Sequence, residues 1–111
     1  MKSKNLLAVA AAAILTTSGA FAQANLTAET ASPGGATHLS LAHLTEIAGT
    51  QGVANIQLAE GQTLTNSIQN VAEGKTDIAG TPYILPFLMS RGVGPYGSLG
   101  KEAGAELASN L

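Results

Sequence analysis

The chain of 111 residues contains no cysteine and no tryptophan, and two tyrosines and two phenylalanines are its only aromatic residues. Disulfide bonds are therefore excluded, although small exported domains commonly depend on them for stability. Their absence suggests a larger folded partner or a chain that has been cut short. The final stretch, GAELASNL, favours the second explanation, because it ends within a helical pattern without a glycine or proline stop signal. We therefore expect the N-terminal part of a longer protein.

Basic residues are scarce after the first few positions of the chain. Residues 23–111 hold only Lys75, Arg91 and Lys101, whereas all seven acidic residues of the chain lie in this part. Nucleic acids and anionic membranes are bound by basic surfaces. The charge balance therefore excludes nucleic acid as an expected partner.

Residue patterns that support catalysis or metal binding are also missing. No Ser-His-Asp or Cys-His arrangement is visible, and no two carboxylates stand at a catalytic spacing. His38 and His43 are five residues apart, about 140° around a helix, and so do not share a metal ion. His38 lies in the first turn of a predicted helix, from which its side chain could face the rim, although first-turn side chains point in several directions. We expect no enzyme, no metal and no cofactor.

The N-terminus has the layout of a secretory signal peptide rather than that of a membrane anchor. Lys2 and Lys4 precede an apolar run over residues 6–15, and Ala20-Phe21-Ala22 is a small-x-small cleavage signal. An apolar run of about ten residues is too short to cross a bilayer, which takes about twenty. We therefore expect export to the periplasm, cleavage near Ala22 and a single folded domain over residues 23–111.

Residues 23–111 alternate between strand and helix patterns. Strands are predicted over residues 26–31, 53–59 and 76–80, and helices over residues 37–48, ended by Gly49, and 64–72, ended by Gly74. Residues 84–89 form a short helix or a buried connection, residues 92–100 a flexible loop and residues 101–111 a further helix. The two strand-turn-helix units of about thirty residues have the size of βα crossover units. We expect an α/β fold, with a mostly parallel sheet and helices on both faces.

Ligands bind such sheets beyond the carboxyl ends of the strands, where turns lead into helices. Small-residue turns are predicted at this edge over residues 32–37, 60–65 and 80–82. Helix N-termini attract carboxylates and phosphates, and glycine allows a ligand to approach the backbone. Helix capping is the better explanation for either of the first two turns taken alone. Because two similar turns lie at one edge, a ligand-binding rim is about as well supported as capping. The predicted ligand-binding residues are Ser32, Gly34, Gly35, Thr37, Gly61, Gln62, Thr63, Thr65, Gly80 and Thr81.

Two phosphate-loop-like motifs are rejected because of their context. Gly92-Val93-Gly94-Pro95-Tyr96-Gly97 fits G-x-G-x-x-G, but no strand leads into it and a proline interrupts it. Gly74-Lys75-Thr76 resembles the end of a phosphate loop, but the first glycine of that motif is replaced by Gln69. Neither motif predicts a nucleotide site.

The chain resembles the start of a TAXI-type solute receptor of the tripartite ATP-independent periplasmic (TRAP) transporters. The resemblance lies in the signal peptide and in two later stretches, ETASPGGATHLSLAHLTEIAG and LAEGQTLTNSIQNVAEGKTDIAG. In that family a glycine-rich turn, a small-residue turn before a helix with an early asparagine, and a G-E/K-x-D-hydrophobic-A strand follow in this order. The corresponding residues here are Pro33-Gly34-Gly35, Gly61-Gln62-Thr63 with Asn66, and Gly74-Lys75-Thr76-Asp77-Ile78-Ala79. The chain departs from the family at Thr37-His38-Leu39, where an aromatic residue is often found.

The resemblance implies the first lobe of a two-lobed periplasmic-binding-protein type II fold, since family members are considerably longer than this chain. It implies a periplasmic receptor that closes on a small organic acid or amino-acid solute and delivers it to the membrane subunits of the transporter. The alternative is the ligand-binding module of a periplasmic sensor. An exported enzyme is a third possibility.

Overall fold

The computed structural model describes residues 23–111, so the predicted signal peptide lies outside the described residues. Three parallel strands form one sheet in the order β2-β1-β3. The strands are β1 (Ala24–Glu29), β2 (Ala54–Ala59) and β3 (Ile78–Ala79). The α-helices of the described part are α1 (Ala36–Thr50), α2 (Leu64–Ala72), α3 (Ile84–Arg91) and α4 (Gly100–Ala108). The predicted α/β architecture with a parallel sheet is confirmed.

Helices α1 and α2 pack on opposite faces of the sheet. On one face, Ala28 of β1 and Ile56 of β2 pack with Ala48 of α1. Successive residues of a strand point to opposite faces, so Glu29 points away from α1. Its carboxylate accepts hydrogen bonds from Asn70 Nδ2 of α2, at 3.0 and 3.2 Å. The prediction that helices cover both faces is therefore confirmed.

A second apolar cluster joins α2 to α3 and α4. Its buried members are Ile68, Ala72, Leu85, Met89 and Tyr96. Residues 84–89, for which the sequence allows a short helix or a buried connection, are helical, and Leu85 and Met89, at i and i+4, enter this cluster. After α4, the Asn110 side chain donates to the carbonyl of Ala72 at 3.1 Å, which ties the last residues to α2. No helix within residues 23–111 combines the length and apolar character needed to cross a bilayer.

The glycine-rich segment after α3 is more ordered than the predicted loop. It contains a 3-10 helix over Gly94–Tyr96, and the Tyr96 side chain is buried in the second apolar cluster. The Tyr96 hydroxyl donates to the carbonyl of Thr65 at 3.0 Å. The segment predicted as a flexible loop therefore contains a short 3-10 helix, and it is anchored by Tyr96, which the glycine pattern alone does not show.

Both α1 and α2 are followed by a glycine with a positive φ, but in α1 this is not the predicted glycine. Beyond α2, Gly74 has a φ of +76° and donates to Val71, while Lys75 donates to Asn70, as predicted for a left-handed cap. Helix α1 continues through the predicted stop at Gly49, and Gly52, with a φ of +68°, takes the left-handed position instead. A glycine ends a helix where its φ becomes positive, and Gly49 remains helical.

The predicted strands are displaced or shortened for reasons of hydrogen bonding. β1 ends at Glu29 instead of residue 31, because Thr30 already bonds to the turn that follows β2. β3 contains two residues instead of five, because the side chain of Asp77 replaces a backbone group of the ladder. Its carboxylate accepts the Thr27 N–H at 2.9 Å, and the Thr76 hydroxyl donates to the Thr27 carbonyl at 3.2 Å.

Candidate functional site

The turns that follow β1 and β2 are joined by backbone hydrogen bonds. We call them the β1 turn (residues 30–35) and the β2 turn (residues 60–63). The N–H groups of Gly61 and Gln62 donate to the carbonyls of Ala31 and Thr30, at 3.1 and 3.0 Å. Thr30 in turn donates to the carbonyl of Ala59 at 2.9 Å. The two turns therefore form one continuous surface at the carboxyl end of the sheet.

The β3 turn (residues 80–83) reaches the same surface through Thr37 of α1. A Cβ atom placed on Gly80 would lie 3.2 Å from Thr37 Cβ and 3.4 Å from Leu41 Cδ1. The Thr30 hydroxyl lies 3.4 Å from the Thr37 hydroxyl, to which it donates. We call the three turns and the first turn of α1 the rim. Gly80 serves in the rim as a close packing position, because a larger residue would press on α1.

The rim includes nine of the ten predicted site residues, whereas Thr65 lies in the first turn of α2, and it uses several of them as helix caps. Thr63 is the N-cap of α2, and its hydroxyl accepts the Asn66 N–H at 3.2 Å. Gln62 Oε1 accepts from the Thr63 N–H at 3.0 Å and from Asn66 Nδ2 at 3.4 Å. The hydroxyls of Thr63 and Thr65 are 3.3 Å apart. The side chains of Gln62 and Thr63 therefore cap the start of α2, as the capping alternative predicts.

Helix α1 begins without a side-chain cap. Its N-cap residue is Gly35, and the first intrahelical bond runs from the Leu39 N–H to the Gly35 carbonyl, at 2.9 Å. The N–H groups of Ala36, Thr37 and His38 precede that bond and point towards the rim. These three N–H groups and the positive end of the α1 dipole are the polar features that the β1 turn offers to a ligand.

The remaining predicted residues are exposed or make local contacts. Ser32 is exposed, and its carbonyl accepts the Gly35 N–H at 3.2 Å. Gly34 and Gly61 have φ values of +84° and +85° and no atom within 4 Å of an added Cβ, so both glycines are required by the backbone and open to solvent. The Thr81 hydroxyl lies 3.4 Å from the carbonyl of Pro82.

A histidine and a glutamate that the predicted site omits connect two parts of the rim. His38 Nδ1 accepts the Gly34 N–H at 3.0 Å, and His38 Nε2 lies 2.8 Å from Glu60 Oε1. Because an N–H group donates to Nδ1, the ring proton is on Nε2 and is donated to Glu60. The His38 side chain is 16% exposed and that of Glu60 is 47% exposed. The imidazole therefore bridges the β1 and β2 turns.

Most residues of the β1 and β2 turns are exposed, so the rim is open to solvent. A cavity of about 410 Å³ lies instead on the sheet beside β1 and β2, lined mostly by Thr27, Glu29, Gln57, Lys75 and Thr76. A second cavity of about 280 Å³ lies between α2, β3 and α3, and Thr81 is the one predicted site residue in its lining. Neither cavity includes a residue of the β1 turn or Gly61–Thr65. A ligand on the rim would have one side facing solvent.

The charges near the rim are few. Glu60 is the ionisable residue that the three turns contribute besides the exposed Tyr83, and no lysine or arginine stands in them. Away from the rim, the hydrogen bond from Lys75 lowers the pKa of Glu73, and burial raises the pKa of Tyr96. No group of three or more His, Asp or Glu residues in the described range is arranged to hold a metal ion.

Thr30, His38 and Glu60 are not among the predicted ligand-binding residues, although Glu60 begins the turn predicted over residues 60–65 and His38 lies in the first turn of the predicted helix. Thr30 lies on the same face of the strand as Leu26 and Ala28, and its side chain is fully buried. The alternation of β1 could therefore have predicted that Thr30 points into the fold. His38 and Glu60 are 22 residues apart, and no local pattern brings them together. Comparison of the chain with protein-family models, with curated proteins and with solved structures gave no match.

Proposed function

We propose that residues 23–111 are one lobe of a periplasmic receptor that captures a small organic acid or amino-acid solute for a TRAP transporter of the TAXI type. The observation that carries the proposal is the convergence of three turns on one rim, at the carboxyl end of a parallel sheet. Ligands of open α/β sheets bind at this edge. Export and delivery to membrane subunits belong to the same proposal, on the basis of the family resemblance.

The uncapped start of α1 is the part of the rim best suited to a carboxylate. Helix N-termini bind anions through free N–H groups and the helix dipole. Three such groups, on Ala36, Thr37 and His38, precede the first intrahelical bond, and no side chain caps them. The Thr37 hydroxyl lies beside them and contacts the Thr30 hydroxyl. A carboxylate at this position receives neutral donors and meets no lysine or arginine.

The open shape of the rim fits one wall of a cleft. A binding pocket typically buries about 70–90% of a small ligand, whereas the rim leaves one side of a ligand in water. A lobe that faces the rim would cover the remaining ligand surface. On this proposal, residues 23–111 alone bind a solute weakly, because most of the entropic cost of capture remains while much of the contact surface is missing.

The test compares the affinities of the chain for succinate and for its uncharged analogue succinamide, by NMR titration of residues 23–111. Succinate is expected to bind with a dissociation constant of the order of 1 mM, corresponding to about −4 kcal/mol, and succinamide more weakly. Thr37→Val, which removes a rim hydroxyl at nearly constant volume, is expected to weaken succinate binding about fivefold, or about 1 kcal/mol.

Thr50→Val is the matched control, because Thr50 lies at the opposite end of α1 and its hydroxyl bonds within the helix. It is expected to leave succinate binding unchanged. Equal affinities for succinate and succinamide, or equal losses in the two threonine variants, would show that the rim is not an anion site.

A further inference from the structure

His38 occupies a position from which a single proton affects two parts of the rim. Its ring accepts the Gly34 N–H at Nδ1 and donates to Glu60 at Nε2, with distances of 3.0 and 2.8 Å. Gly34 belongs to the β1 turn and Glu60 to the β2 turn, so both ring nitrogens are engaged. This arrangement exists only for the neutral ring with its proton on Nε2.

Addition of a proton affects the two contacts in opposite ways. The imidazolium ring donates from both nitrogens, so its contact with Glu60 becomes an ion pair and persists. At Nδ1 the new N–H faces the N–H of Gly34, and two donors repel each other at hydrogen-bonding distance. Gly34 therefore loses its acceptor and the β1 turn has to move away from the ring.

Few other charged groups surround His38 that would oppose the protonation of its ring. Glu60 is the ionisable group hydrogen-bonded to the ring, and the β1 turn carries no ionisable side chain. The nearest candidate in the β3 turn, Tyr83, is 86% exposed. On α1 itself, His43 is about 140° around the helix axis from His38 and exposed, and Glu46 is exposed.

We propose that His38 is a positioning residue that latches the β1 turn to the β2 turn when neutral and releases Gly34 when protonated. The consequence for a ligand rests on the proposed function. In the protonated state the freed Gly34 N–H, the Nδ1–H of His38 and the N–H groups at the start of α1 lie together, and the charge of the His38–Glu60 pair is neutral instead of negative. The rim then accepts an anion better, and anion binding takes up a proton.

The latch is tested first without ligand, by following amide and imidazole NMR signals of residues 23–111 from about pH 8 to pH 5, the range in which histidine side chains change charge. The Gly34 amide signal is expected to shift with the same midpoint as the His38 ring. His38→Gln is expected to abolish the shift, whereas His43→Gln, on the exposed side of the same helix, retains it. A Gly34 signal that does not follow the His38 ring, or that shifts unchanged in His38→Gln, overturns the latch.

The ligand arm uses trifluoroacetate, a carboxylate that stays ionised throughout this pH range. If binding takes up one proton, the affinity for trifluoroacetate is expected to rise by up to about tenfold for each unit by which the pH falls. The reason is that anion binding and protonation of His38 are reciprocally linked. In His38→Gln the affinity is expected to be independent of pH, and in His43→Gln to follow the unaltered chain.

The two proposals fail in different ways. Trifluoroacetate binding at the rim that is equally strong at every pH contradicts the proton latch and leaves the anion site standing. Absence of rim binding at every pH contradicts the proposed function, whereas the ligand-free behaviour of Gly34 still decides the latch.

Discussion

Thr63 illustrates how a residue predicted to hold a ligand also has a structural task. Its hydroxyl accepts the Asn66 N–H and caps α2, while Gln62 Oε1 accepts the Thr63 N–H. The sequence signal, a threonine before an apolar stripe, was the same for both roles. A loss of solute binding in a Thr63 variant would therefore include a contribution from a weakened helix. Thr37→Val likewise removes the acceptor of the buried Thr30 hydroxyl, so the stability of each variant is measured beside its affinity.

Thr63→Ala is expected to lower the free energy of unfolding by about 1 kcal/mol, because the N-terminal N–H groups of α2 lose their side-chain acceptor. Urea denaturation of residues 23–111 measures the change. Thr50→Ala is the control, since Thr50 is exposed in the last turn of α1 and is expected to change stability by less than about 0.5 kcal/mol. Equal losses in the two variants would contradict the capping role.

Tyr96 is expected to make the stability of the chain sensitive to alkali. Burial raises the pKa of its hydroxyl above the ordinary value of 10.0, because the folded state disfavours the phenolate. The stabilising contribution of the neutral form is thus complete below the unfolded pKa and is lost as the pH rises through the folded pKa. Tyr96→Phe is expected to reduce the loss of stability above about pH 10, measured by thermal denaturation.

Tyr83→Phe is the matched control for Tyr96→Phe, because Tyr83 is 86% exposed and shows no protein hydrogen bond of its hydroxyl among the described residues. Its alkaline stability profile is expected to match that of the unaltered chain. If both substitutions change the alkaline stability profile equally, the buried hydroxyl of Tyr96 is not the cause of the loss of stability at high pH.

At the scale of elements, the sequence predicted the order and type of the helices and strands better than their ends. Periodic apolar residues identify α1 and α2, although the α1 pattern is only partly buried: Leu41 and Ala48 are buried, whereas Leu44 and Ile47 are exposed. The end of α1 was misplaced because Gly49 and Gly52 look alike in sequence, and only Gly52 has a positive φ. The length of β3 was overestimated because the side chain of Asp77 takes over part of its ladder.

The packing of α3 against α4 depends on contacts that no local pattern shows. A Cβ atom on Gly104 would lie 2.3 Å from the Met89 carbonyl oxygen, and one on Gly92 would lie 2.1 Å from the Gly100 carbonyl oxygen. Composition suggested flexibility for this glycine-rich part of the chain. In the fold, Gly92 of the predicted loop and Gly104 of α4 allow the backbones of the two helices to approach each other.

Gly104→Ala is therefore expected to destabilise the chain by about 3 kcal/mol, because the added methyl group forces α3 and α4 apart. Gly49→Ala is the matched comparison: it is also a helical glycine, and nothing lies within 4 Å of its added Cβ. It is expected to stabilise the chain by up to about 1 kcal/mol through a better helix propensity. Denaturant unfolding measures both changes, and similar effects of the two substitutions would contradict the close helix packing.

At the scale of the whole molecule, the described domain leaves apolar surface uncovered. Tyr83, Ile84 and Phe87 of the run over residues 83–89 are 86%, 52% and 41% exposed, whereas Leu85 and Met89 are buried. Arg91 lies over the Phe87 ring, 4.6 Å from its centroid. The sequence predicted the apolar run but not which residues face outwards, because that depends on how α3 docks on α2 and α4. The convergence of the turns was predictable from the alternation of strands and helices, whereas the link between His38 and Glu60 was not.

Export is a further prediction for the whole chain. When residues 1–111 are produced in a Gram-negative host, the chain is expected in the osmotic-shock fluid with Gln23 or a neighbouring residue at its N-terminus, because Ala20-Phe21-Ala22 fits the small-x-small pattern of a cleavage signal. Mass spectrometry of that fraction identifies the N-terminus. Recovery of an intact Met1 form in the membrane fraction alone would contradict export and cleavage.

The most direct measurement is a map of the backbone amide signals of residues 23–111 that shift when succinate is added. Shifts are expected at residues 34–38, around the start of α1, and at residues 61–65, with smaller shifts at Gly80 and Thr81, and the expected dissociation constant is of the order of 1 mM. Shifts centred on Thr27, Gln57 and Lys75 would place the ligand in the cavity on the sheet instead. That result, an absence of shifts at the rim, or micromolar binding by the monomeric domain would contradict a rim that is half of a two-lobed anion site.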